Sequence, residues 1–176
     1  MSSYNGFECN LRLTDNQKVF VRKIATSDAE RLKKFFETLS PESYWLFHPH
    51  LFGDEHIEKQ IAKAADGTDW TYVALDGDTV AAYFFLWNIK DPIPTLGLGI
   101  GDAYQDSGLG HQIMDILISD TTILGKEGVK LTTLVENNRA FHLYSKKGFE
   151  YIGDIETVGP AGQKHLEKNM ILKLNK

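Results

Sequence analysis

Apolar and polar positions alternate in two short stretches near the amino end, Asn10-Leu-Arg-Leu and Val19-Phe-Val-Arg, on either side of Thr14-Asp15-Asn16. Period-two alternation around turn formers predicts a β-hairpin. The period then changes: Leu32, Phe35, Phe36 and Leu39 recur at helical spacing. Ser27-Asp-Ala-Glu30 just ahead has the spacing of a capping box, in which Ser27 covers a first-turn amide and Glu30 reaches back. That helix is expected to stop before Pro41. Pro41 to Gly53 mixes aromatics, prolines and histidines without a period, and a shorter helix is expected from about Asp54 to Ala65.

Trp70–Leu75 and Val80–Trp87 read as strands around Asp76-Gly77-Asp78, a strong hairpin signal. Thr95–Gly101 is a third strand, interrupted by glycines of the kind that let another backbone or a ligand come close. The loop Asp102–Ser107 leads into a helix with Ile113, Leu117, Thr121 and Leu124 on one face; Gly125 and Gly128 bracket its end, and Val129–Val135 is another strand. Asn137 is placed to cap a helix running to Lys147, and Gly148 stands where a left-handed C-terminal residue belongs. Phe149–Gly153 and Lys168–Leu174 complete the strands. Hairpin, helices, three strands, helix, strand, helix and strands make an α/β domain with a mixed sheet.

With 176 residues the chain fits one domain with a sizeable core, so no disulfide or metal staple is needed. Hydrophobic residues at 42% and charged residues at 24% match a soluble globular protein. The single cysteine, Cys9, excludes an internal disulfide, fits a reducing compartment, and has no histidine or pocket motif nearby to make it a nucleophile. The first ten residues are polar and do not form a signal peptide, and Val80–Trp87 is too short to span a bilayer, so a cytoplasmic protein without a membrane partner is expected. The net charge of −5 argues against a nucleic-acid partner. It also gives an anionic ligand no help, so a phosphate site has to be built locally from backbone groups.

Such a site is offered by Gln105-Asp-Ser-Gly108-Leu-Gly110, between a strand and a helix. Two glycines at this spacing let successive N–H groups curl round an anion with a helix amino end behind them. A dinucleotide fingerprint fails, because Gly97-x-Gly99 is followed by Asp102 and Gly99-x-Gly101 by Tyr104. No Gly-Lys-Ser/Thr of a P-loop is present either. The hexapeptide resembles the Q/R-x-x-G-x-G/A cofactor signature of the GNAT superfamily of acetyl-CoA-dependent N-acetyltransferases. Asn137-Asn-Arg-Ala140-Phe-His-Leu143-Tyr144-Ser-Lys-Lys-Gly148-Phe149 is similar to that family's N-x-x-A-x-x-L-Y-x-x-x-G-F. At the amino end, Arg22, Phe35-Phe36 and Leu39-Ser-Pro-Glu-Ser43 look like the start of acetyltransferase domains that include some protein-lysine acetyltransferases.

The resemblance implies one acetyltransferase domain over residues 1–176, with 1–16 as an amino-terminal extension and first hairpin strand. It implies a GNAT-like mixed sheet whose parallel central strands, Thr95–Gly101 and Val129–Val135, splay apart and are flanked by helices. The pantetheine arm of acetyl-CoA would enter that gap like an added strand. The amide of Ile100 would face the thioester carbonyl. Gln105, Asp106, Ser107, Gly108, Leu109, Gly110 and His111 would hold the pyrophosphate, Asn137 would bind a pantetheine amide, and Tyr144 would donate to the departing thiolate. Tyr144 as a mere packing aromatic is the competing reading.

The pattern also departs from the family. The turn carries Asp106 and no Lys or Arg, so its only cation would be a protonated His111. Arg139, Lys146 and Lys147 either meet the adenosine 3′-phosphate or form a solvated helix face. The strand Thr95–Gly101 has no Glu to act as base; Asp102, Glu42, Tyr83 and His48 remain as candidates beside a chain of waters. His48-Pro-His50 and His56 match no zinc spacing, so no metal is expected, and this segment with Trp45 and Phe47 reads as a wall of the acceptor pocket. The expected acceptor is an amine, on a small molecule or a protein lysine, and a homodimer is compatible with the resemblance. The alternatives are a non-catalytic CoA-binding sensor and the same fold with another acyl donor.

Overall fold

The computed structural model describes residues 8–47 and 49–174. The readings placed on His48 and on the extension before residue 8 therefore fall outside the described residues. Among the described residues eight strands form one sheet: β1 (Glu8–Arg12), β2 (Lys18–Lys23), β3 (Trp70–Asp76), β4 (Thr79–Trp87), β5 (Thr95–Ile100), β6 (Gly128–Leu134), β7 (Glu150–Val158) and β8 (Lys164–Lys173). Their spatial order is β1-β2-β3-β4-β5-β6-β8-β7, and β5–β6 is the parallel pair. Among the described residues there are five α-helices: α1 (Ala29–Glu37), α2 (Pro41–Leu46), α3 (Asp54–Ala65), α4 (Leu109–Ile123) and α5 (Asn138–Lys146). This is the mixed α/β architecture that the hydrophobic pattern predicts.

The two faces of the sheet bury different sets of side chains. One face packs Val21, Phe84, Leu96, Leu131 and Met170 under Ile113, Met114 and Leu117 of α4 and Tyr144 of α5. The other packs Val73, Tyr83 and Phe85 under Leu32, Phe35 and Phe36 of α1 and Ile57 and Ile61 of α3. Strand β4 is buried on both faces, which explains why it reads as an unbroken apolar run rather than an alternation. Cys9 is a buried strand residue whose thiol burial pushes above its ordinary pKa, the inert reading. Helix α5 ends as predicted: Gly148 has φ 89, and the amides of Gly148 and Phe149 return to the carbonyls of Ser145 and Tyr144. That Schellman closure fixes where Tyr144 points.

Three expectations need correction. No capping box forms at Ser27–Glu30. The fully buried Asp28 accepts instead from the Ala25 amide at 2.8 Å and from Arg22 at 2.6 and 2.8 Å, so a buried ion pair anchors the start of α1. The Pro41–Gly53 segment opens with a helix, α2, capped by the Ser40 hydroxyl and with Pro at its first position. The closing strands extend well beyond Phe149–Gly153 and Lys168–Leu174, because β7 and β8 continue as a long hairpin to Val158 and Lys164.

Candidate functional site

Strands β5 and β6 touch in register only at Thr95↔Lys130 and then part. The antiparallel ladder from β5 to β4 includes Gly101 donating to Ala81, so alternation turns the backbone groups of Leu98 and Ile100 toward β6. The β6–β8 ladder likewise turns Thr132 and Leu134 toward β5. Two rows of peptide groups thus face a widening gap. The cleft there encloses about 1230 Å³ and runs from the Gln105–Gly110 turn to the tip of the β7–β8 hairpin. That exceeds the usual room for one drug-sized ligand, enough for a long cofactor and an acceptor together.

Each predicted site residue has a definite place. Ile100, Gln105, Asp106, Gly108, Leu109, Gly110, His111, Asn137 and Tyr144 line the cleft. Ser107 does not: its hydroxyl turns back to the Tyr104 carbonyl at 2.5 Å, and its own carbonyl accepts from Thr14. Gly108 is the N-cap of α4 at φ 78, and no side chain caps the helix, so the amides of Leu109, Gly110 and His111 stay directed at the turn. Uncapped amides at a helix amino end suit an anion. Asn137 caps α5 by accepting from the Ala140 amide at 3.2 Å, which leaves its side-chain NH₂ to face the cleft.

Gln105 joins three elements: its NH₂ donates to Ser43 at 3.0 Å and to the Ile100 carbonyl at 3.3 Å, and its oxygen accepts from Arg139 at 2.9 Å. Arg139 also pairs with Asp106 at 2.8 Å, while Lys147 is taken up by Asp115 at 2.6 Å. The turn itself has no Lys or Arg, and the guanidinium of Arg139 reaches it from α5. The strand glycines make room for side chains rather than a backbone, since a Cβ on Gly97 would strike the Phe85 ring and one on Gly99 the Phe47 ring. Phe47, Phe85 and Trp87 thereby wall the cleft beside β5, with the Phe85 and Trp87 rings stacked at 3.9 Å. Trp45 reaches over it to donate to Glu136 at 2.9 Å and to meet the His165 ring at 5.1 Å.

Of the candidate bases, Glu42 lines the cleft, whereas Asp102 and Tyr83 are tied down. Asp102 is pushed up by partial desolvation, but donation from the Ser40 amide and the Ser43 and Ser40 hydroxyls, at 2.7 to 2.9 Å, outweighs this and holds it below the ordinary carboxylate range. It joins α2 to the end of β5. Tyr83 is fully buried behind Phe47, with its hydroxyl 3.2 Å from His50 Nε2. His50 Nδ1 contacts the Leu51 carbonyl at 2.6 Å, so both ring nitrogens are engaged within the fold. Among the described residues, no three His, Cys, Asp or Glu side chains gather as a metal site, and no helix is long and apolar enough to cross a membrane. The Arg22 and Phe35-Phe36 features lie in the ion pair and core described above, away from the cleft, whereas Ser40 and Ser43 reach it through Asp102 and Gln105.

A family model described as an acetyltransferase (GNAT) domain matches residues 67–151. The fold is similar to the GNAT domain of PAT from S. lividans, with a TM-score of 0.78 at 19% identity over 97% of this chain and 99% of that one. It is similar to ribosomal-protein-S5-alanine acetyltransferase from Vibrio fischeri, with a TM-score of 0.75 at 14% identity over 88% and 92%. It is also similar to spermidine N-acetyltransferase from Vibrio cholerae in complex with CoA and spermine, with a TM-score of 0.70 at 21% identity over 88% and 95%. At these identities the structural likeness is one of fold.

Proposed function

We propose, from the match of the GNAT acetyltransferase model to residues 67–151, that the chain is a member of that superfamily, binds acetyl-CoA in the β5–β6 gap and transfers the acetyl group directly to a primary amine. The observation that carries this reading is the joining of that gap to the uncapped amino end of α4 at the Gln105–Gly110 turn. The backbone rows suit a pantetheine arm and the turn suits its pyrophosphate. Glu42, Asp102, Asp106, Glu136 and Glu167 line the cleft against Arg139, and no lysine lines it among the described residues, a field that favours a cationic amine. The relatives in fold are named for acceptors as different as spermidine and a ribosomal-protein alanine, so the acceptor amine is either on a small molecule or on a protein.

The free amine attacks the thioester carbon, and the Ile100 amide meets the charge that develops on oxygen. The C–S bond then breaks, and the thiolate leaves beside the Tyr144 hydroxyl. An alkylammonium must first lose a proton, and the tied Asp102 is a poor acceptor, so water in the cleft carries it to bulk solvent. With its pKa depressed, Asp102 is ionised throughout the range in which an amine titrates. Asp102→Asn is therefore expected to lower kcat less than about tenfold, short of the loss for a general base, with the rate still rising toward the amine's own pKa. A hundredfold drop that also removes an inflection near about pH 6–7 would make Asp102 the base.

Thermal melts with ligands test the cofactor. Acetyl-CoA at one hundred times its Kd stabilises the native state by about 2.7 kcal/mol, a rise of roughly 5–10 °C for a chain of this size. NAD and ATP should raise the melting temperature much less, and an equal response to ATP overturns the reading. Amine-dependent thiol release separates an enzyme from a sensor, and acyl donors of increasing length test the acetyl preference.

A further inference from the structure

The turn that receives the pyrophosphate contains no basic side chain, and the chain carries a net charge of −5. Arg139 stands at the start of α5, where a cation opposes the helix dipole, so helix stability does not account for it. Its guanidinium crosses the mouth of the gap to the two residues that open the turn, 2.9 Å from the Gln105 oxygen and 2.8 Å from an Asp106 oxygen. Both partners are exposed, Arg139 at 55% and Asp106 at 86%, and exposed pairs contribute little. A pyrophosphate is a stronger, bidentate partner for a guanidinium than one solvated carboxylate.

Resting on the acetyl-CoA reading, we propose that Arg139 is the cation of the pyrophosphate site and that Asp106 is its exchangeable partner. Asp106 holds the guanidinium beside the amides of Leu109–His111, and the incoming pyrophosphate takes it over. Asp106 then weakens binding twice, by occupying Arg139 and by repelling the phosphates.

Calorimetry with coenzyme A, dephospho-CoA and pantetheine tests this on the full chain. Arg139→Gln should raise the Kd for coenzyme A and dephospho-CoA by the same factor, about 10- to 100-fold for a charge-assisted contact, and leave pantetheine unchanged. Asp106→Asn should tighten both phosphorylated ligands, and the gain should shrink in the Arg139→Gln background. A loss confined to coenzyme A would move Arg139 to the 3′-phosphate and overturn the proposal. An equal loss with pantetheine would trace the effect to cleft shape, and no loss would leave Arg139–Asp106 a solvated pair; either overturns it. Wild-type protein that binds none of the three overturns the acetyl-CoA reading itself, which sets that failure apart from the others.

Discussion

Gly108→Val is expected to raise the Kd for coenzyme A about a hundredfold or more while the chain remains folded. Gly108 sits at φ 78, a left-handed conformation that a β-branched residue adopts only under strain. Crowding is not the cause, since the nearest atom to an added Cβ is Thr14 Cγ2 at 3.6 Å. The strained residue rotates away, and the amides of Leu109, Gly110 and His111 lose their common aim. Gly110→Val should fail for the opposite reason. Its Cβ would lie 3.2 Å from Ile100 Cδ1 and 3.3 Å from Leu143 Cδ2, so the branched methyls must spread two side chains that line the cleft. Gly110→Ala needs shifts of only a few tenths of an ångström and should bind nearly as wild type. Calorimetry with coenzyme A, alongside circular dichroism to confirm folding, distinguishes these cases. Tight binding in both valine variants would put the pyrophosphate elsewhere.

What was legible in the sequence, and what was not, follows from where each signal lives. The turn, the helix behind it and the Gly148 stop are local, set by glycines and caps within a few residues, and the fold has them where the pattern puts them. Helix α2 escaped because it buries none of its residues, so it has no apolar stripe; its signal was Ser40 before Pro41, a cap and a first-turn proline. Strand β7 is exposed along nearly its whole length, so no in–out alternation marks its extent. Pairings across the fold were the hardest to read. Arg139 and Gln105 are 34 positions apart and meet only because β5 and β6 are neighbours. Asp28 could be read as a helix-start residue, but its burial against Arg22 depends on how β2 packs near α1. Phe47 over Gly99 was half legible: the glycine announced a close approach, and the fold supplied an aromatic ring.

Tyr144→Phe is expected to lower kcat about 10- to 100-fold, the worth of one hydrogen bond to a charged group, with little change in the Kd for acetyl-CoA. Tyr144 lines the cleft, and its phenol is pushed well above the ordinary tyrosine pKa by burial, with no hydrogen bond to its hydroxyl among the described residues. It therefore stays protonated throughout the neutral range and is free to donate. Full proton transfer to a thiolate is uphill from so weak an acid, so its contribution is a hydrogen bond that strengthens as the C–S bond breaks. Such an interaction belongs to the transition state, which is why kcat falls and ground-state binding does not. Stability provides the control. Removing a buried hydroxyl that has no partner among the described residues costs nothing and spares a desolvated group, so the melting temperature should hold or rise. The leaving group provides the second readout. A thioester whose thiol is more acidic needs less help to depart, so the ratio of wild-type to variant rates should shrink toward one as the thiol pKa falls. Single-turnover mixing isolates the acetyl-transfer step for both proteins. An unchanged rate for that step would leave Tyr144 as an aromatic ring that packs beside Phe149 and takes no part in the departure of the thiolate.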